Sequence, residues 1–185
     1  MKKLAVKKKI KKKDHPSLDI VSSHGTELTG KRIVLCVAGS VAAYKAIELA
    51  RLLMRHGADV KCVASNAVTK LIQPDYFKWA TGNKVITKLT GELEHIKLAD
   101  YKQSDLVIVY PATANTLGKL ANGIDDTPIS TVLTVGFGSK IPILMCLAMH
   151  ESMYDNLAVK KNIEFLKNKI QLNIYVLKKC VNLML

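Results

Sequence analysis

The chain of 185 residues has the length of one domain, and a composition that is 49% apolar and 23% charged is globular, which excludes a disordered or collagenous chain. Its formal charge of +13 suggests an anionic partner, yet residues 1–13 hold eight lysines and no acid, residues 160–185 hold six lysines against one glutamate, and the stretch between them balances to zero. No apolar run nears the roughly eighteen residues of a membrane helix, and no apolar h-region follows the N-terminal lysines, so neither a membrane span nor a secretory signal is expected.

The lysine arm contains no Phe, Tyr or Trp to stack on bases, so a nucleic-acid partner is not expected. The polar stretch 17–30, rich in Ser, Thr and Gly, reads as a tether into the first strand. Residues 33–38 (IVLCVA) are a continuous β-prone run, punctuated by Gly39 and Ser40. Over 41–56 the residues Ala43, Ile47, Ala50, Leu53 and Met54 recur at helical spacing, and Gly57 is placed to end that helix. Residues 60–64 (VKCVA) form the next strand, after which Ser65 or Asn66 caps a short helix through Leu71 and Ile72. The run 106–110 (LVIVY) is a third strand, followed by Pro111 and a helix over 115–121; 141–147 (IPILMCL) is a fourth strand and 170–177 a fifth.

Runs buried on both faces and separated by helices define a parallel sheet. The expected fold is a doubly wound α/β domain, Rossmann-like or flavodoxin-like, in three layers, with ligands outside the carboxyl ends of its strands. Cys36, Cys62, Cys146 and Cys180 are widely spaced with no C-x-x-C pair, and three of them lie in apolar runs, so a reducing cytoplasm is the expected compartment.

The loops at the strand ends carry the candidate chemistry. Gly39 lets the backbone approach a ligand, Ser40 offers a hydroxyl, and the helix that follows presents free N–H groups to an anion. A helix N-cap with no ligand fits these residues equally well. One glycine where the dinucleotide fingerprint wants three, and no Walker pattern, favour a mononucleotide over NAD. Pro111, Ala112, Thr113, Ala114, Asn115 and Thr116 place small, hydroxyl and amide groups at the same rim, or form a plain cap. Met149, His150, Met153 and Tyr154 suit a flap over a bound ring; Met149 and Met153 at i and i+4 suit a core-facing helix start as well. His95 is a candidate general base by residue type, since a free imidazole titrates near neutrality, and it fits a surface or capping position too. No second histidine stands at ligand spacing from His95 or His150, so no metal site is expected.

G-S-V-A-A-Y-K after the first strand, E-H-I-K-L before the third, P-A-T-A-N-T after it, G-I-D-D-T-P-I-S-T further on and A-M-H-E-S-M-Y after the fourth resemble, in that order, the flavin-dependent cysteine decarboxylase family. The similarity is to the phosphopantothenoylcysteine decarboxylase part of the coenzyme A biosynthesis flavoproteins and runs from residue 30 to about 168. It implies FMN held by Gly39, Ser40, Val41, Ser65, Thr113, Ala114, Asn115, Thr116 and Ala148, a catalytic His95, and Asn115, His150 and Met153 toward a phosphorylated substrate. His150 falls where the family's substrate clamp has an asparagine that binds the substrate carboxylate, and histidine also donates to a carboxylate.

The implied reaction oxidises the substrate's cysteine side chain on the flavin, releases carbon dioxide, and returns hydride and a proton to give 4'-phosphopantetheine. The family's proton-donor segment, L-A-C-G, has no counterpart after Lys167, and Cys180, in a Lys-Lys-Cys-Val-Asn context, is the only thiol there. Pro128 also replaces a usual leucine, and the segment between His95 and Pro111 is about two residues longer than in relatives. The expected organisation is a basic arm and tether over 1–29 and a decarboxylase domain over 30–185 with an atypical tail from 168 and no synthetase domain. Family likeness further implies a homotrimer or a multiple of trimers. Two other readings are a flavin prenyltransferase of the same fold and a non-catalytic, regulatory flavoprotein that lacks the proton donor.

Overall fold

The computed structural model describes residues 15–169 and the strand 172–176. Five strands, β1 (Arg32–Val37), β2 (Asp59–Ala64), β3 (Leu106–Ala112), β4 (Ile143–Leu147) and β5 (Leu172–Val176), make one parallel sheet in the order β2-β1-β3-β4-β5. Its helices are α1 (Lys45–Arg55), α2 (Asn66–Thr69), α3 (Pro74–Thr81), α4 (Glu94–Ala99), α5 (Ala114–Ala121), α6 (Pro128–Gly138), α7 (Glu151–Tyr154) and α8 (Leu157–Lys169). This strand order is the flavodoxin-like form of the doubly wound fold, and it reverses direction between β1 and β3.

The side-chain period of two in a strand divides the apolar runs between two cores. Ile33, Leu35, Val37, Val60, Cys62 and Ile108 face α1 and α3, which contribute Ala46, Ala50, Met54, Phe77 and Ala80. Val34, Cys36, Val107 and Val109 face the other layer, where Leu117 and Leu120 of α5, Val132 and Leu133 of α6, and Ile163 and Leu166 of α8 pack. β1 and β3 therefore carry buried apolar residues on both faces, which is why their sequence reads as a nearly unbroken run, whereas the half-buried Lys61 interrupts β2.

Four sequence expectations shift in the structure. The helix expected over 41–56 divides into a 3-10 turn, Val41–Tyr44, and α1. β4 begins at Ile143 because Pro142 has no N–H to give the ladder, although its carbonyl accepts from Val107 at 2.9 Å. The fifth strand runs over Leu172–Val176, α7 realises the helix start weighed at Met149 and Met153, and α3, α6 and α8 have no counterpart among the sequence expectations. The polar stretch 17–30 is not a free tether: Ser22 N donates to Met54 O at 3.0 Å, His24 N to Arg55 O at 3.0 Å and Leu28 N to His56 O at 2.9 Å. The last carbonyls of a helix have no intrahelical donors, and this segment supplies them. Leu18, Ile20 and Leu28 pack on the α1–α3 core, and His56 Nδ1 pairs with Glu27 at 2.9 Å. The lysine arm, Cys180 and the tail from 177 lie outside the described residues. Among the described residues no helix is long and apolar enough to cross a membrane, and no cluster of three metal-ligating side chains forms.

Candidate functional site

The carboxyl ends of β1, β2 and β3 meet where the strand order reverses, and backbone bonds tie them together. Ser65 N donates to Val37 O at 3.1 Å, Ala38 N to Pro111 O at 3.4 Å, and Ala148 N at the end of β4 to Ala112 O at 2.9 Å. Each loop leaving this rim starts a helix with a side-chain cap. Ser40 accepts from Ala42 N at 3.3 Å, Ser65 from Val68 N at 3.1 Å, and Thr113 from Thr116 N at 3.3 Å. Thr127 and Ser130 form a reciprocal capping box at α6, with Pro128 in its first turn. A single side chain satisfies one of the four unpaired N–H groups at a helix start, so the rim collects free donors and the positive ends of helix dipoles.

Between these ends lies a cleft of about 390 Å³, inside the range of about 300–1,000 Å³ typical of cofactor sites. Its floor is Ala38 and Gly39 from β1 and Ser65, Asn66 and Ala67 from β2–α2. Thr113, Ala114, Asn115, Thr116 and Lys119 form one wall, Thr127, Ile129 and Ser130 of α6 another, and Met153 of α7 the edge. Gly39 lets the β1 and β2 loops meet in this floor: a Cβ there would collide with the Ala67 side chain and stand 3.3 Å from its backbone. A phosphate beside a flat ring suits this donor set, which offers helix starts, an amide, hydroxyls and an ammonium beside small apolar surfaces.

The structure brings Gly39, Ser65, Thr113, Ala114, Asn115, Thr116 and Met153 of the expected residues together in this cleft. Ser40 stands at its rim with its hydroxyl engaged as a cap, Ala148 is buried at the end of β4, and Val41 is 65% exposed outside it. Met153 faces the cleft, whereas Met149 packs on the core, so the two methionines do not share one role. His150 caps α7: its Nδ1 meets Ser152 N at 3.3 Å and Ser152 Oγ at 2.9 Å, and its ring stays exposed.

His95 does not line the cleft. It lies in the first turn of α4, which packs on α6, and its Nδ1 is buried with no hydrogen-bond partner among the described residues. Asn66, Ala67, Lys119, Thr127, Ile129 and Ser130 were not anticipated in the cleft. Thr127 followed by Pro128, with Ser130 three residues after the cap, is a legible helix start, and Lys119 stands four residues after Asn115 on the same helical face.

A parallel sheet of this order, with an anion-favouring cleft at its reversal point, defines a doubly wound, flavodoxin-like α/β domain with its ligand cleft at the switch point. A family model described as Flavoprotein matches residues 21–184, and the chain belongs to that family. Its cofactor class is accordingly a flavin. Over 150 residues the chain is 50% identical to the "Coenzyme A biosynthesis bifunctional protein CoaBC" of Thermococcus kodakarensis, covering 80% of this chain and 37% of that protein. It is 36% identical over 142 residues to the "Probable phosphopantothenoylcysteine decarboxylase" of Streptococcus mutans, covering 74% of this chain and 78% of that protein. The chain thus spans little more than a third of the bifunctional relative and most of the single-activity one. Among solved structures, the peptidyl-cysteine decarboxylase EpiD superposes with a TM-score of 0.69 at 26% identity, over 78% of this chain and 84% of that one.

Proposed function

We propose that this chain is an FMN-dependent decarboxylase that converts 4'-phosphopantothenoylcysteine to 4'-phosphopantetheine in coenzyme A biosynthesis, working in the cytoplasm as a trimer or a multiple of trimers. The observation that carries the reading is the cleft at the β1–β3 reversal, floored by Gly39 against Ala67 and walled by Thr113, Asn115 and Thr116. The printed names of the relatives from Thermococcus kodakarensis and Streptococcus mutans support the substrate class.

When bound, FMN supplies the two-electron acceptor that the oxidation of a cysteine side chain requires. The chain's own groups bind and orient. First-turn N–H groups of α5 and α6 attract phosphate, and Asn115, which lines the cleft, carries an amide. Met153, 47% exposed at the edge, offers an adaptable apolar cover. His150 Nδ1 accepts from Ser152 N, which leaves the proton on Nε2, free to donate to a substrate carboxylate.

His95, one helix removed from the cleft of its own chain, serves as the acid–base group for a cleft completed by a neighbouring copy. Leu52 on α1 and Tyr76 and Trp79 on α3 are exposed apolar side chains that suit burial in such an assembly. The test is direct. Purified protein should take up FMN and show flavin absorbance, release carbon dioxide from the substrate, and lose that release in His95→Asn while keeping its flavin. Protein that cannot be loaded with FMN sinks the proposal.

A further inference from the structure

Among the described residues that line the cleft, Lys119 is the one charged side chain. It follows Asn115 by four residues on α5, so the two share a face, and the backward tilt of helical side chains carries its stem toward the α5 N-terminus. The side chain is only 18% exposed, and its Nζ meets both carboxylate oxygens of Asp126, at 2.8 and 2.9 Å. An ammonium has three donors. Asp126 takes two at most, and no other partner of Nζ is present among the described residues.

The neighbouring hydroxyls are already committed. Thr113 Oγ1 accepts from Thr116 N and meets Thr116 Oγ1 at 3.2 Å, and Ser130 Oγ accepts from the N–H groups of Asp126 and Thr127. Among the described residues, the cleft therefore holds one cationic donor, fixed in place by Asp126 and not exhausted by it.

We infer that Lys119 is the counter-ion of the cleft for a phosphate monoester, the group that lets it select phosphorylated over unphosphorylated ligands. Such a group carries nearly two negative charges at neutral pH, and a bond from an ammonium to it is about twice as strong as one between neutral partners. The inference rests on the decarboxylase reading, under which two phosphate monoesters are at hand, one on FMN and one on the substrate.

Lys119→Met in the full chain separates them. Dissociation constants for FMN and riboflavin are read from quenching of flavin fluorescence. Phosphopantothenoylcysteine and its dephosphorylated form are compared as substrates of the flavin-loaded protein. If the flavin phosphate is the partner, the variant loses about ten- to a hundredfold in FMN affinity while riboflavin binding is unchanged. If the substrate phosphate is the partner, flavin affinities hold and the preference for the phosphorylated substrate falls by that factor. Lys119→Arg should keep the discrimination, and Lys119→Gln replaces the methionine variant should that one fail to fold. Unchanged discrimination in both comparisons overturns the inference, as does equal weakening of FMN and riboflavin. A wild-type chain that binds neither flavin removes the decarboxylase reading and this inference together.

Discussion

The backbone of Gly39 lies against the side chain of Ala67, so that the loops leaving β1 and β2 touch with no room for a methyl group between them. Overpacking of this kind costs about 1–3 kcal/mol. Gly39→Ala should therefore lower thermal stability and weaken flavin binding, because relief requires the two loops that floor the cleft to part. The double variant Gly39→Ala with Ala67→Gly removes the opposing atom and should recover much of both. Melting temperature and flavin titration on the three proteins check this, and a double variant no better than Gly39→Ala would contradict it.

Thr113 caps α5 by accepting from Thr116 N at 3.3 Å. Thr113→Val keeps the shape and removes the acceptor, so the chain should lose about 1 kcal/mol, whereas Thr113→Ser should lose little. The reading is the denaturant midpoint at constant slope. Since Thr116 Oγ1 also loses its 3.2 Å partner at the cleft wall, flavin affinity should drop in the valine variant and hold in the serine one.

Burial pushes the Cys62 thiol up to about 12, and burial together with neighbouring Cys62 pushes that of Cys36 still higher. Both thiols sit in the α1–α3 and α5–α6 cores as small hydrophobes, so an alkylating reagent at pH 8 should leave the peptides containing Cys36 and Cys62 unmodified until the protein is unfolded. The linkage has a definite sign. A folded-state pKa above the unfolded value of about 8.5 leaves stability intact below that pH and erodes it as pH rises toward the folded value. Melting temperatures between pH 8 and 10.5 should decline, and the decline should be shallower in Cys62→Ala.

At the opposite end of the sheet the N–H of Arg32, at 2.9 Å, and the Lys31 ammonium, at 3.0 Å, hold the Asp105 carboxyl below its ordinary value. A depressed carboxylate contributes above the unfolded pKa of about 3.9 and loses that contribution as pH falls further. Asp105→Asn should be less stable than the wild type at pH 7, modestly because the pair is exposed. The gap should close below about pH 4. Stability of the two proteins across that range decides it.

How much the amino-acid pattern reveals depends on how each element is buried. β1 was legible because Val34 and Leu35 face different cores and both are fully buried, leaving no polar position to blur the run. α6 was not: Thr131, Val132, Leu133, Thr134 and Val135 are mostly β-branched, Gly136 and Gly138 follow, and no amphipathic period survives in a helix packed between the sheet, α4 and α5. Its start was readable from Thr127, Pro128 and Ser130, which chain chemistry alone places at a cap. The cleft divides in the same way. Gly39, Ser65 and Asn115 announce themselves by residue type at strand ends, whereas Ala67 and Ile129 matter through what touches them. His95 is visible as a histidine, but its separation from the cleft follows from the packing of α4 on α6, which no local spacing encodes.

The segment from His15 to Gly30 seals the carboxyl end of α1, and that end lies at the amino edge of the sheet, where β1 and β2 begin. The cleft lies at the other edge. A polypeptide joined ahead of His15 therefore enters the domain on the side remote from the cleft, so an affinity handle or an immobilising surface attached there leaves the ligand mouth facing outward. A truncation at Gly30, by contrast, strips Leu18, Ile20 and Leu28 from the α1–α3 core and sets the practical boundary for any shortened form of the protein at or before His15.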